Sequence, residues 1–402
     1  MTEQGSNGKS ERRVLATVTL SHLSQHFYAG LSVLYPAIMS ELNLNYTQLG
    51  IMTGTTTIVS GFLQMIWSLL TRYVPRRVLL GTGNVLISAG CIVMSGANRL
   101  IELMSGNVLS GSGGAAQHPI GTSIITRKYP RERLSGAISI HYGLGYVGNI
   151  ISPILLSSIA LSLSWREALY FLAVIPFITG LTALYFLRGD QSAFKSIQGK
   201  ETTNLWDDLK SAIHVKGAIL IIMAQVFAIG GSGMGVIITY TPLFLRNALN
   251  IEIFETSVVY AFAVLGGVLG TMFFGHLSNK LGSLRMAAFV TGSASILILC
   301  LTYYTSFNLF LIPHLIVIGA TTFSGTSLLQ SHLASISTPS QRDILIGLYF
   351  TLGFGFSSMW TALTGFLIDA YSSFNAAWVL RATLGTVAFS LMVLASRQKA
   401  QT

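Results

Sequence analysis

The sequence predicts an all-α membrane protein: twelve transmembrane helices in two pseudo-symmetric six-helix halves. Three observations lead there. Of 402 residues, 51% are hydrophobic and only 9% charged, where a soluble domain carries about 25% charged residues. Apolar runs of roughly 20 residues recur along the chain, each long enough to cross a hydrocarbon core of about 30 Å as a helix. The runs come in two sets around one polar segment, and short motifs recur in the same order in both sets, as in carriers built from a duplicated bundle.

The runs fall near 14–40, 46–70, 78–97, 100–127, 134–162, 167–187, 217–245, 255–277, 284–304, 308–335, 342–370 and 376–396. The first closes near Tyr35-Pro36 and the seventh near Thr241-Pro242. The second ends in the basic loop around Arg72, Pro75, Arg76 and Arg77, and the eighth in Gly275 to Arg285. Tyr129-Pro130-Arg131-Glu132-Arg133 follows the fourth run, and Thr338-Pro339-Ser340-Gln341-Arg342 follows the tenth. Trp165-Arg166 opens the sixth, and Trp378 with Arg381 opens the twelfth.

The domain reading follows: a tail over 1–13, one half over 14–187, a linker over 188–216, a second half over 217–396 and a tail over 397–402. Asp207, Asp208 and Lys210 keep the linker out of hydrocarbon. Within it Leu205, Trp206, Leu209 and Ile213 recur at helical spacing, either as a short amphipathic helix at the interface or as a tether held by Trp206. The first run lacks a small-residue cleavage site and reads as a retained helix.

The formal charge of +10 is topology. Counted from a cytoplasmic N-terminus, 20 of the 24 Lys and Arg fall on the inner side, leaving Arg99, Arg166, Arg246 and Arg381 at outer ends. That bias places both termini and the linker in the cytoplasm, in a plasma or bacterial inner membrane, and argues against nucleic acid as a partner. Cys91 and Cys300 form neither a metal-ligand spacing nor a disulfide pattern.

Gly275, Leu277, Lys280, Gly282 and Arg285 resemble the inner-loop motif of the major facilitator superfamily, with Asn279 where that motif carries an acid. In the first half only Arg76 and Arg77 match clearly; Arg72 occupies the acid's place. Asn107 stands where the family's fourth-span Arg-x-x-x-Gly-x-Gly stretch has its arginine, ahead of Gly111 and Gly113. Gly148 to Pro153 resembles the family's exporter element, and Gly111 to Pro119 is similar to the Gly-rich, His-Pro span of the fosmidomycin-resistance-like subgroup. The resemblance implies the major facilitator fold, alternating access around a central site, and gating by the two loops. The acid and the arginine on which the family builds its charge latch and proton antiport are replaced here by Arg72, Asn279 and Asn107.

Few acids fall inside the runs, so histidines are the candidate chemistry. His22 and His26 lie one turn apart with Gln25 between them. Gln117 and His118 sit on the fourth run, and His141 shares a face with Gly145 and Gly148. At about 1.5 Å rise per residue, His22, His118 and His141 reach similar depths. Two readings stay open: neutral imidazoles that bind a polar substrate or take up protons, and imidazoles that bond a neighbouring helix. No spacing argues for a metal. Gln225, Tyr240 and Trp360 offer polar or aromatic surface in the second half. With no deep Arg or Lys expected in either half, the substrate should be neutral, zwitterionic or weakly charged. Gly230 to Gly235 can unwind the seventh run.

The expectation is a monomeric secondary transporter of a small organic molecule in the lipid bilayer, without cofactors, most simply a proton-linked exporter. A nutrient importer or facilitator is the alternative, and a non-transporting receptor the alternative of another class. No phosphate-binding loop for ATP is present, and the usual marks of an intramembrane enzyme are not evident.

Overall fold

The computed structural model describes residues 3–71, 73–188, 210, 214–229 and 235–399. Among these the ordered elements are all helical, and nine of the described helices are long and apolar enough to cross a membrane. Large apolar side chains face outward along them, for example Ile58, Phe62, Met65, Ile66 and Leu69 on one helix, the pattern of a lipid-facing surface.

The chain forms two compact units, Met1–Ile38 with Val59–Lys200, and Met39–Ile58 with Glu201–Thr402. Residues Met39–Ile58, from the end of the first span and the start of the second, cluster with the second unit although they lie in the first part of the chain.

In the first unit, α1 (Glu3–Phe27) continues through a 3-10 segment (Tyr28–Leu34) into α2 (Tyr35–Leu42). The tightening has a local cause: Pro36 has no N–H to return to the preceding turn, and Tyr35 N–H bonds Ser32 O instead. Then come α3 (Tyr46–Leu70) and α4 (Arg76–Ser95), followed by α5 (Leu100–Gly114) and α6 (Gln117–Lys128). The unit closes with α7 (Arg131–Ser162) and α8 (Trp165–Phe186). The fourth span is thus two helices. The chain breaks at Ala115-Ala116, where Ala116 N–H bonds Gly113 O at 3.1 Å, and Pro119 in the first turn of α6 suits a helix start. A core of Val14, Val18, Leu79, Leu80, Ile120 and Ile125 holds α1, α4 and α6 together.

The second unit holds α9 (Ala218–Ile229) and α10 (Val236–Leu243), the two described pieces of the seventh span. The expected unwinding falls mainly on Gly230 to Met234, which lie outside the described residues, as does the linker helix around Trp206. Pro242 in α10 leads into a π-turn (Phe244–Ala248), where Leu249 N–H reaches Phe244 O. Next are α11 (Ile253–Leu281), α12 (Ser283–Leu299), α13 (Leu311–Ile336), α14 (Pro339–Tyr371) and α15 (Phe374–Lys399). The start of α14 is encoded locally: Thr338 and Gln341 form a reciprocal capping box around Pro339, a strong signal for a helix N-terminus. Small residues bring α11 and α13 together, since a Cβ on Gly270 or Gly319 would overlap Ala320 or Ala263; close backbone approach of this kind drives helix association in lipid.

A further repeat joins those read from the sequence. Asn43, after the first span, and Asn250, after the seventh, both adopt left-handed backbone, with φ of 51° and 53°. Asparagine tolerates that conformation better than most residues.

Candidate functional site

The site grows from two helices of the first unit that run side by side in the same direction. Glu11 pairs with Arg133, Thr19 with His141 and His26 with Asn149, at sequence separations of 122, 122 and 123 residues. A constant offset means that α1 and α7 are parallel. Glycine makes the approach possible: a Cβ on Gly145 would overlap the His22 ring, and one on Gly148 would lie 2.6 Å from the Leu23 carbonyl oxygen.

Four imidazoles meet there. His22 and His26 have ring centroids 4.6 Å apart. His118, from the first turn of α6, lies 5.1 Å from His22 and 6.1 Å from His26. His141 stacks on His22 at 4.4 Å, with ring planes 19° apart. His22 and His141 are fully buried and His26 is 6% exposed; His118 is the partly exposed member. Tyr142 and Tyr146 complete the wall, 5.2 Å from His22 and 4.7 Å from His26 respectively.

The hydrogen bonds orient these rings. His22 Nδ1 lies 3.1 Å from the His141 carbonyl oxygen. A carbonyl only accepts, so His22 donates from Nδ1 and keeps a bare lone pair on Nε2. His26 Nδ1 faces Asn149 Oδ1 at 2.9 Å in the same manner. The two Nε2 atoms then face each other at 3.0 Å. Chemically, this is a buried cluster of imidazole nitrogens that can share a proton or face a cation.

The other candidates divide. Gln117 does not join the imidazoles: its Oε1 accepts from Ser21 Oγ at 2.6 Å and its Nε2 points to Val18 O. Gln25 turns toward Gly114 on α5, and its buried Oε1 has no partner among the described residues. In the second unit, Tyr240 donates to Thr361 O at 2.9 Å and Trp360 to Val226 O at 3.0 Å. Gln225 is fully buried, with neither side-chain polar atom partnered among the described residues.

The loop and packing residues are placed as follows. Arg76 is buried and donates to Ser123 Oγ at 2.8 Å; Arg77 reaches Leu184 O at 3.2 Å. Arg72 lies outside the described residues. Asn279, Lys280 and Arg285 are placed at or beside the end of α11, and Gly275 meets open space. Gly282 ends α11 at φ 88°, a conformation that favours glycine. Gly111 and Gly113 lie on α5, where a Cβ on Gly113 would overlap Gly83 of α4; Pro153 sits inside α7.

Arg381, read as an outer-end charge, is 1% exposed, with Nε and one terminal nitrogen unpartnered among the described residues. It lies in the second turn of α15, which begins earlier than expected, at Phe374, and packing of α12 and α15 covers it beside Ser295 and Gly385.

Sequence reasoning missed Asn149, Tyr142 and Tyr146. The signal for Asn149 was present, because 141, 145 and 149 recur at one-turn spacing on one face. It also missed a polar network at the same level: Asn84 donates to Ser21 Oγ at 2.7 Å and to Leu80 O at 2.9 Å, while Thr179 donates to Ser24 Oγ at 2.9 Å.

Comparisons agree with this architecture. The chain matches the Major Facilitator Superfamily over residues 18–362. It is 24% identical over 367 residues to the fosmidomycin resistance protein of Escherichia coli (strain K12), covering 89% of this chain and 86% of that one. It is also 24% identical over 368 residues to YfnC, an MFS-type transporter of Bacillus subtilis (strain 168), covering 89% and 87%. Among solved structures, the nucleoside transporter NupG superposes with a TM-score of 0.80 at 14% identity, over 96% of this chain and 99% of that one.

Proposed function

The chain belongs to the Major Facilitator Superfamily, and from that premise we propose that this multi-pass membrane transporter is a proton-linked exporter of a small organic molecule. The observation that carries the reading is the cluster of His22, His26, His118 and His141 in the first unit. It supplies lone pairs for a polar substrate and a place for a proton between His22 and His26. The groups facing that pair are His118 from α6 and His141, Tyr142, Tyr146 and Asn149 from α7, with no carboxylate against it among the described residues.

Export is supported by the relative named for fosmidomycin resistance, since moving a toxic compound outward confers resistance. The protein works as a monomer with both termini in the cytoplasm, in a plasma or bacterial inner membrane, and its linker spans 188–216 between halves over 14–187 and 217–396. Arg76, Arg77 and the Gly282 turn serve as inner gating elements.

A thermal-stabilisation screen of compounds against the purified protein identifies a substrate, because ligands that bind the native state raise its stability. In proteoliposomes, an acidic lumen should then accelerate uptake of that substrate above the rate without a gradient. Equal rates in both conditions rule out proton linkage. The second reading, a facilitator or importer, is favoured by Asn107 in place of the family's arginine; it predicts counterflow that ignores the pH gradient.

A further inference from the structure

We infer that His22, His26 and His118 form a binding site for a divalent transition-metal ion of the Zn2+, Co2+ or Ni2+ class. The potential ligand atoms of these three side chains all lie within 4.8 Å of one another. His22 and His26 already present their Nε2 atoms 3.0 Å apart. Two imidazoles bound to one tetrahedral ion at 2.0–2.1 Å would have nitrogens about 3.3 Å apart, so a shift of a few tenths of an ångström admits an ion between them.

The second shell points the same way. Metal-bound imidazoles characteristically donate their remaining N–H to a carbonyl or carboxylate, which fixes the ring and leaves the ligating nitrogen bare. His22 Nδ1 donates to the His141 carbonyl and His26 Nδ1 to Asn149 Oδ1. In the tautomer where both Nδ1 atoms donate, the two Nε2 lone pairs point into one gap that a cation can occupy. Stacking on His141 and packing against Tyr146 hold the rings in that pose. His118, partly exposed at the start of α6, supplies the third nitrogen and the accessible side of the gap.

The donor set selects the ion. Three neutral nitrogens suit Zn2+, Ni2+ or Co2+, whereas Mg2+ and Ca2+ require oxygen ligands. A fourth coordination position stays open, and with no carboxylate among the three ligands, a small anion or a polar group of a bound molecule would fill it. The ring geometry carries this site whether or not transport is proton-linked. A proton and a metal ion would compete for the same lone pairs.

The test is direct titration of tag-free, full-length protein with Co2+ alone, read by its visible d–d absorption. One Co2+ per chain with a tetrahedral spectrum is expected, displaced by Zn2+. His22→Asn and His26→Asn should each weaken binding by at least about tenfold. His118→Cys should add a thiolate-to-Co2+ charge-transfer band in the near-ultraviolet, and Asn149→Asp should tighten binding about tenfold, the lower end of outer-shell effects. Monodisperse elution and an unchanged thermal midpoint identify the variants that still fold. Absence of Co2+ binding by the folded parent protein overturns the site. So does binding undiminished in folded His22→Asn and His26→Asn, and a folded His118→Cys variant without the new band removes His118 from it. These readouts involve no transport, so a protein that binds Co2+ but ignores a pH gradient separates this inference from proton-linked export.

Discussion

Asp369, at the end of α14, takes the backbone N–H of Thr47 at 2.7 Å and that of Tyr46 at 3.1 Å, and also accepts from the Thr47 hydroxyl. The carboxylate thus caps α3, beside the reciprocal bonds of Asn45 and Gln48. A negative group at a helix N-terminus satisfies orphan N–H groups and meets the positive end of the helix dipole. Asp369→Ala should lower stability by about 1 kcal/mol, the usual cost of a lost cap, seen as a reduced thermal midpoint. Asp369→Asn should fall between the alanine variant and the parent protein.

Glu11 and Arg133 predict an asymmetry. Their two contacts are 2.7 and 3.0 Å, but the Glu11 side chain is 4% exposed and the Arg133 side chain 59%. Removing the arginine strands a buried carboxylate, whereas removing the glutamate leaves a cation that water can solvate. Arg133→Ala should therefore destabilise the protein more than Glu11→Ala. Thermal unfolding of the two variants side by side decides it, and the reverse order refutes the argument.

Two neighbouring glycines of α7 should behave oppositely. A methyl on Gly145 would overlap the His22 ring, while one on Gly143 would meet nothing within 4 Å. Gly145→Ala should cost about 1–3 kcal/mol, typical of overpacking, and should impair transport by displacing His22. Gly143→Ala should leave both the thermal midpoint and transport near those of the parent protein.

Asn84 ties α1 to α4 by donating to Ser21, with the Ser24 hydroxyl 3.0 Å from its Oδ1. Asn84→Ala removes one partner each from Ser21 and Ser24, which keep Gln117 and Thr179, and should cost about 0.5–1.5 kcal/mol per lost bond. Thr179→Ala, at the edge of the network, should cost less. Thermal midpoints of both variants give the comparison.

Much of the architecture was legible along the chain because its causes are local. The second predicted span, 46–70, coincides with α3, Tyr46–Leu70. The capping signal at Thr338 and Gln341 starts α14 three residues before the apolar run predicted from 342. The 3-10 segment before Pro36, the break ahead of Pro119 and the π-turn after Pro242 were not predicted, although each proline marks its place in hindsight. A proline tells where a hydrogen bond is missing; whether the helix bends, tightens or restarts depends on what packs beside it.

Hydropathy, charge bias and repeated motifs by themselves determined the membrane-helix class, the twofold organisation and the family resemblance, since each acts within one helix or one loop. They also singled out His22, His26, His118 and His141. Only the tertiary structure decided that these four residues meet, that Gln117 turns instead to Ser21, that Asn149 orients His26, and that Arg381 is buried. The physical reason is distance along the chain: α1 and α7 touch at separations of 122 residues. Which faces meet across such a gap is set by the fit of Gly145 and Gly148 against His22 and Leu23, a property of two packed surfaces that neither helix carries alone.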